Sequence, residues 1–179
     1  MNGRAVGGLA AEARPQPNCS STGAKPAAVC VVLINGENLD GWVKQDGKTP
    51  AEWHVKDGIF VVGKGNIMSE KRFGDFQLHL EFQVPYMPDA KGQMRGNSGV
   101  YLQRRYEIQV LDSFGLTGDK GECGAVYQQT PPDVNMCYPP LSWQTYDIDF
   151  KAARYDADGK KTANAVVEVV QNGGKVHDK

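Results

Sequence analysis

Residues 95–113 read RGNSGVYLQRRYEIQVLDS, and their spacing gathers reactive groups. Counted by twos, Asn97, Tyr101 and Gln103 share one face of an extended chain, and Arg105, Glu107 and Gln109 share one face of the run that follows. Val100 and Leu102, then Tyr106, Ile108 and Val110, take the opposite faces and belong in a core. Paired side by side, the two runs would set a phenol, three amides, a guanidinium and a carboxylate on one patch. Such a set both donates and accepts hydrogen bonds, as sugar hydroxyls require. Glu107, with Asp112 just beyond the second run, adds the carboxylates that acid–base chemistry needs. The plain alternative is a solvated sheet face laced with cross-strand polar pairs.

Other segments offer further groups. In FQLHLEFQV, His79, Glu81 and Gln83 alternate with apolar residues and would extend the patch from a neighbouring strand. Tyr127 and Trp143 flank a long loop, 112–142, where aromatic rings can cover the apolar face of a pyranose. Asn135, in PPDVN, would reach the site from that loop. Glu81, Glu107, Asp112 and His79 are residue types that ligate divalent ions, though no spacing motif demands a metal and the sequence requires no cofactor. There is no glycine-rich phosphate loop and no dinucleotide fingerprint.

The elements that must position these groups read as strands. AEWHVKDGIFVVG suggests a hairpin about Asp57–Gly58, and FQLHLEFQV alternates cleanly, with Phe76, Leu78, Leu80, Phe82 and Val84 on one face. TYDIDF aligns Tyr146, Ile148 and Phe150, and ANAVVEVVQNG reads as the last strand, ending in an Asn-Gly turn. No long stretch keeps a 3.6-residue period. With 21 glycines and 10 prolines to make turns, the pattern predicts an all-β antiparallel sandwich or barrel.

The bulk properties set bounds. A chain of 179 residues fits one domain with a sizeable core. A formal net charge of −1, without basic blocks, argues against nucleic acid or an anionic membrane as a partner held by charge. No run approaches the roughly 20 apolar residues of a membrane span. Residues 1–28 are small, polar and proline-rich and read as a flexible leader, leaving 29–179 as the domain. Cys123 and Cys137 flank the loop, either as a disulfide in an exported protein or as two buried thiols.

Beyond the pattern, LINGENLDGWVKQDGKTPAEWHVKDGIFVV, FGDFQLHLEFQVP, GQMRGNSGVYLQRRYEIQVLDS, GECGAVYQQTPPDVN and SWQTYDIDFKAARYD resemble the 3-keto-disaccharide hydrolase domain over residues 32–179. The resemblance implies a jelly-roll sandwich of the concanavalin A-like lectin/glucanase kind. It also implies a 3-keto-glycoside substrate, made by a separate oxidoreductase, and a periplasmic or secreted location. The implied chemistry removes the C2 proton beside the ketone, expels the C1 aglycone and hydrates the enone. In that scheme Glu107 is base or acid, Asp112 a second acid–base group, and Arg95 a fixed cation for the enolate oxygen. Asn97, Tyr101, Gln103, Arg105, Gln109, Glu81, His79, Tyr127, Asn135 and Trp143 would bind the substrate. Domains of this kind usually continue past NGGKVHDK, so the expectation is either that the closing strands are missing, leaving an exposed edge, or that the N-terminal part compensates. Two rivals use the same patch. One is a lectin-like module without turnover. The other is an ordinary retaining glycosidase, for which YEIQVLDS has Gln109 where the middle acid of such a strand would stand.

Overall fold

The computed structural model describes residues 30–178, together with the backbone of residues 6–12. It is nearly all β. The strands are β1 (Val6–Glu12), β2 (Val31–Val32), β3 (Trp42–Lys44), β4 (His54–Lys56), β5 (Ile59–Val61), β6 (Ile67–Ser69), β7 (Phe76–Gln83), β8 (Ser98–Leu102), β9 (Tyr106–Val110), β10 (Trp143–Lys151), β11 (Arg154–Tyr155), β12 (Lys161–Ala163), β13 (Val166–Gln171) and β14 (Gly174–Asp178). A single 3-10 turn, Gly92–Met94, precedes β8.

One layer is a large antiparallel sheet ordered β14-β13-β10-β7-β1-β5-β4, with β2 paired to β1. The facing layer includes the β8–β9 hairpin and the loop that runs from β9 to β10, while β3 and β6 form a separate two-stranded pair. The core fills the space between. Leu78, Leu80 and Phe82 from β7, and Tyr146, Ile148 and Phe150 from β10, meet Leu102, Ile108 and Val110 from the hairpin. Phe82 and Tyr146 stack at 4.8 Å and Phe76 and Phe150 at 5.1 Å, adding aromatic contact to the apolar area removed from water. This two-layer arrangement of open sheets is the sandwich that strand alternation predicted.

Two differences from the sequence reading are informative. Val6–Glu12, expected within a flexible leader, is a strand lying between β7 and β5, with Ala10 opposite His79; residues 1–5 and 13–29 lie outside the described residues. And β13 is not the last strand. Asn172 and Gly173, with φ of 51° and 81°, make the two-residue turn of a hairpin, and the chain returns as β14 beside β13. The Asp57–Gly58 hairpin forms as the sequence indicated, again with positive φ at both turn residues.

Candidate active site

The β8–β9 register is the foundation. Tyr101 faces Glu107, Gly99 faces Gln109, and Val100 faces Ile108, so the polar and apolar residues separate onto opposite faces. The second edge of β9 is also paired. Gln109 N–H donates to the Ala125 carbonyl at 3.0 Å, Gly124 N–H to the Gln109 carbonyl at 3.0 Å, and Tyr127 N–H to the Glu107 carbonyl at 2.8 Å. Glu107 therefore sits on a strand held from both sides. Its carboxylate accepts a 2.7 Å hydrogen bond from the Tyr101 hydroxyl. Burial, and then the neighbouring Glu107 carboxylate, push the Tyr101 phenol up to about 12, so it stays protonated across the neutral range. Tyr127 adds to that rise from close by. Glycine at 99 is needed for this geometry. A Cβ there would fall inside contact distance of the Glu107 carboxylate.

A cleft of about 310 Å³ is lined by Gln93, Arg95, Asp112, Leu116, Lys120, Glu122 and Gln128 among others, and Gln93 ties it to Gln109 on the Glu107 strand. At its floor Arg95 Nη2 donates to Asp112 Oδ2 at 2.8 Å, and the Asp112 N–H donates to the Arg95 carbonyl at 3.0 Å. The Asp112 side chain is only 2% exposed. Its other oxygen accepts from Phe114 N–H. Removing the cation or the donors would leave a buried polar group without compensation.

Amides link the Glu107 strand to the cleft. Gln109, 1% exposed, donates to Gln93 Oε1 at 3.0 Å and to the Gly121 carbonyl at 3.4 Å. Gln93 donates to that same carbonyl at 2.6 Å, and Asn97 donates to the Gln93 carbonyl and Oε1 at 3.0 and 3.1 Å. Gln109 thus braces the site from beneath rather than meeting solvent.

The structure brings Arg95, Asn97, Tyr101, Glu107, Gln109, Asp112 and Tyr127 together. It separates the others. His79 and Glu81 alternate with buried Leu78, Leu80 and Phe82, so they project from the far face of the large sheet. The whole core lies between them and Glu107, and no patch spans both. There His79 Nδ1 contacts Asp147 Oδ1 at 2.7 Å, and its Nε2 lies 3.6 Å from Glu81 Oε1. The hydrogen bond to Asp147 raises the His79 pKa against the opposing effect of burial. Trp143, beside buried Gln144 and opposite Gln83, lies on that same far face. Gln103 and Arg105 belong to the hairpin tip rather than to the strand faces. Gln103 has a φ of 50°, and its amide donates to the Phe73 and Gly74 carbonyls. Asn135 is a loop clasp. It donates to the Ser113 and Leu116 carbonyls and accepts from Cys137 N–H. Cys123 and Cys137 are free, buried thiols. The four residues weighed as metal ligands are split between the two faces, and among the described residues no group of three or more His, Cys, Asp or Glu is placed to hold a metal ion. Sequence reasoning missed Gln93, Lys120, Glu122 and Gln128. None lies on an alternating strand, so periodicity gave no signal for them.

A concanavalin A-like sandwich with a polar cleft on its hairpin layer is the setting in which the comparisons fall. The 3-keto-alpha-glucoside-1,2-lyase-like domain matches residues 30–179, and the chain belongs to that family. Among solved structures, a crystal structure described as that of a "putative glycosyl hydrolase" from Parabacteroides distasonis ATCC 8503, at 2.13 Å resolution, is 39% identical with a TM-score of 0.77. The match covers 83% of this chain and 64% of that one, so the chain spans under two thirds of its length. A second structure from the same organism under the same description, at 1.70 Å resolution, is 20% identical with a TM-score of 0.59, covering 82% of this chain and 70% of the other, and shows the shared fold. No curated protein matches the chain. Among the described residues no helix is long and apolar enough to cross a membrane.

Proposed function

We propose that the protein is a carbohydrate-active enzyme that cleaves glycosides oxidised to a ketone at sugar C3. The ketone acidifies the C2–H bond. Glu107 takes that proton, the electron pair moves onto the C3 oxygen, and its return expels the C1 aglycone to leave an enone. Water then adds at C1, completing a net hydrolysis. The observation that carries this reading is the Tyr101–Glu107 pair. It is a carboxylate fixed on a doubly paired strand and held by a phenol that stays protonated, and its strand is tied through Gln109 and Gln93 to a cleft of sugar size. Membership in a family described as 3-keto-glucoside-1,2-lyase-like supports the same bond and the same oxidised sugar.

Asp112 is buried and committed to Arg95, so it braces the cleft rather than serving as a second acid. That weighs against the two-carboxylate mechanism of an ordinary retaining glycosidase, in which both acids must reach the sugar. The enone requires the oxidised sugar to arrive ready-made, which assigns its production to a separate oxidoreductase. An extracytoplasmic setting, where glycosides are met, suits the substrate. The test is to run the reaction on a 3-keto-glucoside in heavy water and read the product at early times. Elimination and hydration put deuterium at C2, or leave the enone itself as product. Release of the aglycone with C2 unlabelled and no enone would reject the elimination.

A further inference from the structure

Deprotonation at C2 creates an oxyanion at C3, and a site that accelerates this step needs a fixed positive group aimed where that charge develops. Arg95 was the sequence candidate. Its guanidinium is already engaged by the buried Asp112 carboxylate at 2.8 Å, which cancels most of the charge it could offer a substrate. Lys120 is the other cation lining the cleft. Among the described residues no carboxylate lies within ion-pair distance of its ammonium, although two acids, Asp119 and Glu122, sit beside it in sequence. Both are turned to the backbone. Asp119 Oδ1 accepts the Lys120 N–H at 2.6 Å, and Glu122 Oε2 accepts the Gly118 and Asp119 N–H groups at 2.9 and 3.1 Å.

The backbone of this residue is unusually well held. Its carbonyl accepts from Gln128 N–H at 2.7 Å, and the next carbonyl, that of Gly121, is gripped by Gln93 and Gln109. Gln128 follows Tyr127, whose N–H is bonded to the Glu107 carbonyl. Lys120 is therefore two hydrogen-bonded steps from Glu107, on the order of 10 Å between backbones at ordinary strand spacing. An extended lysine side chain is long enough to span more than half of that, and a sugar ring fits what remains.

We infer that Lys120 is the catalytic cation that receives the developing C3 oxyanion. In the balanced step, Glu107 gains the C2 proton and the C3 oxygen gains the electron pair, stabilised by the Lys120 ammonium without proton transfer. Collapse of the enolate then breaks the C1–O bond, and the aglycone leaves with a proton from solvent. The buried Gln109 and the exposed Gln93 act as positioning residues that fix the carbonyl next to Lys120. This inference rests on the keto-glycoside reading above.

The experiment compares wild type, Lys120→Met and Lys120→Arg on a chromogenic 3-keto-glucoside, with folding checked by circular dichroism. Lys120 is exposed and makes no core contact, so both variants should fold. For Lys120→Met the expected result is a kcat about 100-fold lower, with KM changed far less, because the interaction matters only as charge develops. Lys120→Arg should recover most of the rate, and a small alkylammonium ion added to Lys120→Met should restore part of it. An active wild type whose Lys120→Met variant keeps its kcat, or loses only KM, overturns this inference and leaves the keto-glycoside reading standing. A wild type inactive on the ketone overturns both.

Discussion

At the scale of single residues, the site separates groups that a sequence reading treats alike. Glu107 and Asp112 are both carboxylates at the end of one motif. One is half-buried and held by a neutral phenol; the other is sealed and paired with Arg95. Breaking the second pair leaves a charge without compensation, so Arg95→Met should destabilise the fold by about 3 kcal/mol, measured by urea denaturation. The double change with Asp112→Asn should recover part of that loss, whereas two additive losses would show that Asp112 is stabilised by other partners. Glu107 carries no such structural duty, and Glu107→Gln should leave stability within about 0.5 kcal/mol of wild type.

At the scale of elements, the β8–β9 hairpin does most of the positioning. Its strands were legible in the sequence because Val100, Leu102, Ile108 and Val110 alternate with polar residues, and a two-residue period leaves little freedom of register. The hairpin tip was not. Gln103 and Arg104, with φ of 50° and 60°, stand where glycine or asparagine usually signals a turn, so Gln103 and Arg105 were counted as strand-face residues. Gly99 carries no side chain to mark its part in the pattern, and its role is to clear space for Glu107. Gly99→Ala should therefore displace the Glu107 carboxylate and lower kcat at least 10-fold, while thermal unfolding shifts by no more than a few degrees. A variant with wild-type kcat would show that the carboxylate position is not critical.

For the whole molecule, alternation told which residues face the core but not which layer they belong to. His79 and Glu81 alternate as well as Tyr101 and Glu107 do, and yet the two sets lie on opposite faces of the sandwich. Pairing partners many residues apart decide this, and one strand's pattern does not contain them. The Gln93 and Lys120 contributions were hidden for a related reason: loops carry no period, and only the folded strand edge at Glu107 and Gln109 shows where they land. The far-face cluster has a consequence for global stability. The folded pKa of His79 is raised above 6.5, first by its hydrogen bond to Asp147. Its stabilising contribution is therefore complete below the unfolded value and is lost as pH rises through the folded value. Wild type should lose stability relative to His79→Gln as pH rises from the unfolded value of 6.5 through the raised folded value. A difference between the two that stays flat across this window would mean that His79 does not titrate with folding.

The central claim is that the protein requires a ketone at sugar C3. The most direct measurement is aglycone release from a chromogenic 3-keto-glucoside beside the same glucoside unoxidised, using wild type and Glu107→Gln. Wild type should release the aglycone from the ketone alone, with Glu107→Gln slower by 100-fold or more. Equal release from the unoxidised glucoside, or undiminished turnover by Glu107→Gln, would contradict the claim.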